Sequence, residues 1–200
     1  MKPARDVVLV DAGGTNIGSV RYALERLGIG AELSAEADRI RAASHVILPG
    51  VGAAGPGMAR LHAAGLVAVL RGLRQPVLGV CLGMQLLFEH SEEGDTACLG
   101  VVPGRVRRIA AGADRRVPHM GWNRLVRRRD DALFDGIEGA PFAYFVHGYA
   151  APVGADTLAS VDYGAPLAAV VRAGNFVGMQ FHPERSGALG ARLLHNFLVA

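Results

Sequence analysis

The chain has 200 residues, half of them apolar and a fifth charged, with a formal net charge of +3. That length gives one ordinary domain with room for a real core, and the composition excludes a disordered or collagen-like chain. Two cysteines are too few for a disulfide framework, and no segment approaches the ~20 apolar residues of a membrane span. The apolar start at Val7–Val10 is too short for a signal core and is ended by Asp11, so the expected compartment is the cytoplasm.

Much of the positive charge comes from arginines at 105, 107, 108, 115, 116, 124, 127, 128 and 129. They lack the interleaved stacking aromatics and the binding motif of a nucleic-acid protein. A solvated strand face is expected there, with no nucleic-acid or membrane partner.

In chain order, residues 7–10 form an apolar, β-branched run of the kind buried on both faces of a parallel sheet. After the loop 11–16, Ile17, Val20, Leu24 and Leu27 recur at helical spacing until Gly28 stops them. Residues 31–33 and 46–48 read as strands, the second ended by Pro49-Gly50-Val51-Gly52. A helical pattern runs over 58–70, a strand over 76–80, and a helix continues over 85–90. This alternation implies parallel strands with crossover helices. Beyond Gly104 the character changes to strands at 106–109, 117–122, 142–146, 158–161, 168–171 and 176–181, joined by turns that carry glycine and proline. A last amphipathic helix runs from a Ser186 cap to Leu198. The expected fold is one α/β domain over residues 1–200, a three-layer sandwich with a central mixed, mostly parallel sheet.

Two segments carry chemistry. In Gly79-Val80-Cys81-Leu82-Gly83 a cysteine sits at a strand-to-helix turn of the G-x-nucleophile-x-G kind, whose glycines let strand and helix approach closely. Cys81 would then stand at a helix N-terminus, where unsatisfied N–H groups favour the thiolate. The Leu82 N–H can serve an oxyanion, and Gln85, one helical turn on, can grip a substrate. In His182-Pro183-Glu184, proline restricts His182 to an extended conformation. Glu184 two residues on then points to the same side and can hold the imidazole. A Cys-His-Glu hydrolytic or transfer site follows. Cys98 reads as a small core hydrophobe. The histidines at 45, 62, 90 and 195 read as structural, and no metal-ligand spacing surrounds the His-Pro-Glu segment.

Cys81-Leu82-Gly83-Met84-Gln85 together with His182-Pro183-Glu184 resembles the triad of the class I glutamine amidotransferases, a flavodoxin-like family. The segments at 118–123 (Pro-His-Met-Gly-Trp-Asn) and 144–149 (Tyr-Phe-Val-His-Gly-Tyr) are similar to those of its glutaminase subunits of imidazole glycerol phosphate synthase. The resemblance implies Cys81 as nucleophile, His182 as acid and base, and Glu184 as its orienter. It also implies an oxyanion and glutamine-contacting loop of Gly50, Val51 and Gly52, with Leu82. Gln85, His147, Gly148 and Tyr149 would hold the amino-acid end of L-glutamine. No cofactor or metal is implied.

The implied partner is a (β/α)₈ cyclase subunit, bound as a heterodimer, with Asn16, Met120, Trp122 and Arg185 facing it. Gly148 stands where the family commonly has Ser, Ala12 where it has an aromatic, and Arg185 where it often has Lys. The alternatives are a glutaminase serving another synthase, such as that of pyridoxal phosphate, and a catalytically silent glutaminase-like regulatory subunit. The glycine-bearing loop 49–52 leads to a further expectation, that the isolated chain is a poor glutaminase until its partner binds.

Overall fold

The computed structural model describes residues 6–11, 17–112 and 115–199. The order is β1 (Val7–Val10), α1 (Ile17–Arg26), β2 (Ala31–Ser34), α2 (Ala37–Ala42), β3 (His45–Gly50), α3 (Ala54–Ala63), α4 (Leu66–Arg71), β4 (Val77–Cys81) and α5 (Leu82–Leu87). Then come β5 (Phe88–Ser91), β6 (Thr96–Ala97), β7 (Val102–Arg108), β8 (His119–Arg124), β9 (Val126–Arg127), β10 (Phe142–His147), β11 (Tyr149–Ala150), β12 (Thr157–Asp162), β13 (Pro166–Ala173), β14 (Phe176–Met179) and α6 (Gly187–Val199).

Eight strands form the main sheet in the order β2-β1-β3-β4-β14-β13-β12-β9. The first five are mutually parallel, and the last three run antiparallel to their neighbours. The mixed, mostly parallel sheet of an α/β fold is therefore present. Alternation along β1 divides the core: Val8 and Val10 pack in one apolar cluster, Val7 and Leu9 in the other. The sheet is thus buried on both faces, which is why its central strands read as unbroken apolar runs. Cys98 belongs to the first cluster, and burial pushes its thiol up to about 11, in keeping with a packing role.

Three local expectations change. The helical pattern over 58–70 is two helices, because Gly65 takes φ +67° and breaks the ladder between α3 and α4. The helix after Cys81 starts at Leu82 and ends at Leu87. Residues 88–91 are extended because they pair with β6 and β7 in a small sheet ordered β11-β7-β5-β6. A third sheet consists of β8 and β10 alone, so not every strand of the second half joins the main sheet. No helix among the described residues is long and apolar enough to cross a membrane. Arg127, Arg128 and Arg129 hydrogen-bond to Ile137 O, Ser160 Oγ and Ala155 O, so they tie their turn to neighbouring chain.

Candidate active site

β4 delivers Cys81 to the C-terminal edge of the parallel strands, where α/β sheets place their sites. Its backbone has φ 53° and ψ −111°, a conformation that side chains rarely adopt, and α5 begins at the next residue. The turn closes only around glycines. A Cβ on Gly83 would overlap the Leu48 carbonyl, one on Gly79 would lie 2.6 Å from Gly83 O, and one on Gly50 would lie 2.8 Å from Gly83 N. Gly50 is in register with Cys81 on the neighbouring strand, so it backs the nucleophile turn instead of lining the cleft.

His182 follows β14, with φ −95° and ψ 97°, extended as the proline rule requires. Residues Pro183–Arg185 then form one 3₁₀ turn, so Glu184 reaches the imidazole by that turn and not along a straight strand. Glu184 Oε1 lies 2.8 Å from His182 Nδ1, and the carboxylate side chain is 1% exposed. Ser186 is no simple helix cap. Its hydroxyl donates to His182 O and accepts from Tyr144 N–H, which fastens the segment to β10. Burial disfavours charge on His182, but hydrogen bonds and charge from Cys81 and Glu184 outweigh it and raise its pKa to about 10.

A second set of polar groups starts from Tyr149 O. A carbonyl oxygen only accepts, so His147 Nδ1, 2.8 Å away, must carry a proton and donate it. In the neutral ring, His147 Nε2 then accepts from His119 Nδ1 at 3.1 Å, and His119 Nε2 accepts from Asn123 Nδ2 at 3.3 Å. His119 and His147 stand opposite each other on β8 and β10. Burial lowers both pKa values to about 4. Tyr149 O also accepts from Gln85 Nε2 at 2.9 Å, and Gln85 Nε2 donates as well to Gln180 Oε1 at 3.0 Å. Both N–H groups of Gln85 are thereby used, which leaves its carbonyl oxygen for a ligand.

Cys81, Leu82, Gln85, His147, Gly148, Tyr149 and His182 line one cleft with Val51 and Gly52, about 400 Å³ counting its open mouth. Glu93 joins them, with one carboxylate oxygen accepting from Ala54 N–H at 2.8 Å. Glu93, His119 and Gln180 were not singled out from the sequence as site residues. Gln180 and His182 are two apart at a strand end, an alternation that places them on one side. His119 had only its place in the 118–123 segment as a signal.

Of the expected partner-facing residues, Met120 and Trp122 are 64% and 56% exposed, and Arg185 is exposed. The Arg185 guanidinium lies over the Tyr144 ring, which Trp122 meets edge-on. A core tryptophan is thus ruled out. Asn16 lies outside the described residues.

Residues 8–200 match the family model described as glutamine amidotransferase class-I. The imidazole glycerol phosphate synthase subunit HisH of Xanthomonas oryzae pv. oryzae (strain MAFF 311018) is 61% identical over 193 residues, covering 96% of each chain. The HisH subunit of Xylella fastidiosa (strain Temecula1) is 53% identical over the same span and coverage. A crystal structure of a glutamine amidotransferase superposes with a TM-score of 0.74 at 24% identity, covering 96% of this chain and 97% of that one, a likeness of fold. The chain belongs to the class I glutamine amidotransferase family and, within it, to the group of imidazole glycerol phosphate synthase HisH subunits.

Proposed function

We infer that the chain, read as a single amidotransferase domain, hydrolyses L-glutamine to L-glutamate and ammonia for imidazole glycerol phosphate synthase in histidine biosynthesis. The carrying observation is that Cys81 and His182 line one cleft with buried Glu184 2.8 Å from His182 Nδ1, an arrangement that raises the imidazole pKa. The Cys81 sulfur attacks the carboxamide carbon, and the carbonyl electron pair moves onto oxygen. The Leu82 N–H and the backbone of Val51 and Gly52, which line the same cleft, are assigned to meet that oxygen. His182 already bears the proton that the departing nitrogen needs. As the C–N bond breaks, ammonia leaves and a γ-glutamyl thioester remains. The now neutral His182 takes a proton from water, which attacks the thioester and frees glutamate and the thiolate.

The amino-acid end of glutamine follows from the remaining wall. The carbonyl oxygen of Gln85 and the Glu93 carboxylate suit an α-ammonium, and the His147–Tyr149 backbone holds the rest. Gly148 costs nothing there if the position acts through its main chain.

Bulk water would trap ammonia as ammonium, so the glutaminase docks on a (β/α)₈ cyclase as a heterodimer in the cytoplasm. The cyclase uses ammonia to make imidazole glycerol phosphate and an aminoimidazole carboxamide ribonucleotide. The exposed face of the β8–β10 ribbon, with Met120 and Trp122 and the adjoining Arg185, supports this docking surface. Asn16 is assigned to the same surface from sequence. The test is glutamate release from glutamine by the purified chain, with and without the cyclase and its nucleotide substrate, beside Cys81→Ala. Turnover that rises with the partner and vanishes in the variant is expected. Full turnover by the isolated chain would refute gating, and turnover in Cys81→Ala would refute the nucleophile.

A further inference from the structure

Gln180 is fully buried and sits between the sulfur and the side chain that faces the substrate. Its orientation is dictated from a distance. Tyr149 O can only accept, so the Gln85 amide must turn its nitrogen toward that oxygen. The same nitrogen donates to the Gln180 amide, which must therefore present its oxygen to Gln85. Only the Gln180 nitrogen is left to face Cys81, and it lies 3.9 Å from Sγ. Besides the His182 imidazole, the sulfur meets Val146 O, also at 3.9 Å, which accepts from the thiol and repels a thiolate. An N–H donor opposite that carbonyl favours the ionised sulfur. The main chain holds Gln180 in place, its N–H donating to Ala169 O on the neighbouring strand at 2.9 Å.

We propose that Gln180 is a positioning residue for glutamine hydrolysis: its side-chain N–H holds the Cys81 sulfur as a thiolate, while its carbonyl oxygen fixes Gln85 for the substrate. The proposal rests on Cys81 being the nucleophile. One amide thus couples the state of the nucleophile to the shape of the amino-acid subsite. An apolar side chain of like size fills the space and removes both contacts.

The test is Gln180→Met, with Gln180→Leu as a second apolar replacement should the first fail to fold. Fold is checked by circular dichroism and by the urea unfolding midpoint. Alkylation of Cys81 by iodoacetamide is followed on its peptide by mass spectrometry from pH 5 to 9. Glutamine kcat and KM are measured in the complex with the cyclase. The alkylation profile is expected to move to higher pH by about one unit, about a tenfold slower reaction on its acid side, with a KM raised several-fold. A folded variant whose profile superimposes on that of the native chain would overturn the proposal, even if turnover fell. Cys81→Ala separates the two failures. If it abolishes turnover while the Gln180 variants leave the profile unmoved, only the role of Gln180 fails; if it leaves turnover intact, the nucleophile assignment fails.

Discussion

His182 and His147 line the same cleft, and His119 hydrogen-bonds to His147; the three are almost equally buried, at 4%, 6% and 3% exposure, yet their pKa values move in opposite directions. Burial pushes all three toward the neutral form. His182 escapes because its neighbours are a carboxylate and a thiol able to take negative charge. The neighbours of His147 and His119 are a main-chain carbonyl, each other and an amide. A carbonyl fixes a tautomer without supplying the charge that an imidazolium needs, and the positive His182 further disfavours a second cation at His147. The difference teaches that partner chemistry, not depth, decides which imidazole of the group is favoured in its charged form.

The sharpest way to break this contrast is Glu184→Gln. The amide keeps the size of the carboxylate and loses its charge, so His182 gives up part of what offsets its burial. Its pKa should fall from about 10 toward the ordinary histidine value. Glutamine turnover in the complex should drop on the order of 10²-fold, since the amide can also stabilise the wrong tautomer. Imidazole NMR titration and the pH profile of kcat read the two effects. An unmoved titration would mean that Cys81 alone keeps His182 charged.

The neutral pair predicts a smaller, opposite response, in stability. Both histidines have an unfolded pKa near 6.5 and a folded value of about 4. Between those values the unfolded chain binds protons that the folded chain refuses. Their full contribution is therefore present above 6.5, declines as pH falls toward 4 and is flat below it. By pH 5 the loss is about 2 kcal/mol per histidine. Urea unfolding from pH 7.5 to 4.5 reads this slope. His119→Phe should be less stable at pH 7.5, because His147 Nε2 loses its donor, and should show a shallower acid slope. An acid slope as steep as that of the native chain would show that carboxylates elsewhere dominate.

The charged side of the cleft was legible from local sequence rules, whereas on the neutral side Gln85 was legible from its helical spacing, His147, Gly148 and Tyr149 only from the family resemblance, and His119 and Gln180 not at all. Gly79, Cys81 and Gly83 announce a turn by local sterics, and Pro183 constrains His182 by its own ring, so short-range rules suffice. The parallel strands were legible for a similar reason, since burial on both faces writes an apolar run into each. What was missed depends on pairing between distant segments. Phe88–Ser91 followed the helix pattern until pairing with β7 drew it into a strand. His119 acquires its meaning only from the register that sets it against His147. Gln180 is one more polar residue until Tyr149, 31 positions earlier by the numbering in the sequence, sends hydrogen-bond direction to it through Gln85.

The smallest effect is expected at the far end of the neutral side, at half-buried Asn123. Its Nδ2 donates to His119 Nε2 at 3.3 Å and to Asp162 O at 2.9 Å, while its Oδ1 accepts from Arg124 N–H. If polarity in this chain is imposed from Tyr149 O, then Asn123 follows the tautomers and does not set them. Asn123→Ala should then cost about 1 kcal/mol for the lost hydrogen bonds and leave the proton of His119 on Nδ1, facing His147. Imidazole ¹⁵N shifts distinguish the two tautomers directly. A move of that proton to Nε2 would mean that Asn123 holds the pair from outside. His119 would then turn an acceptor toward the acceptor of His147, the contact between β8 and β10 would weaken, and the glutamine KM would rise with it. An unchanged tautomer with a nearly native KM would place control at the carbonyl, which no side-chain substitution removes.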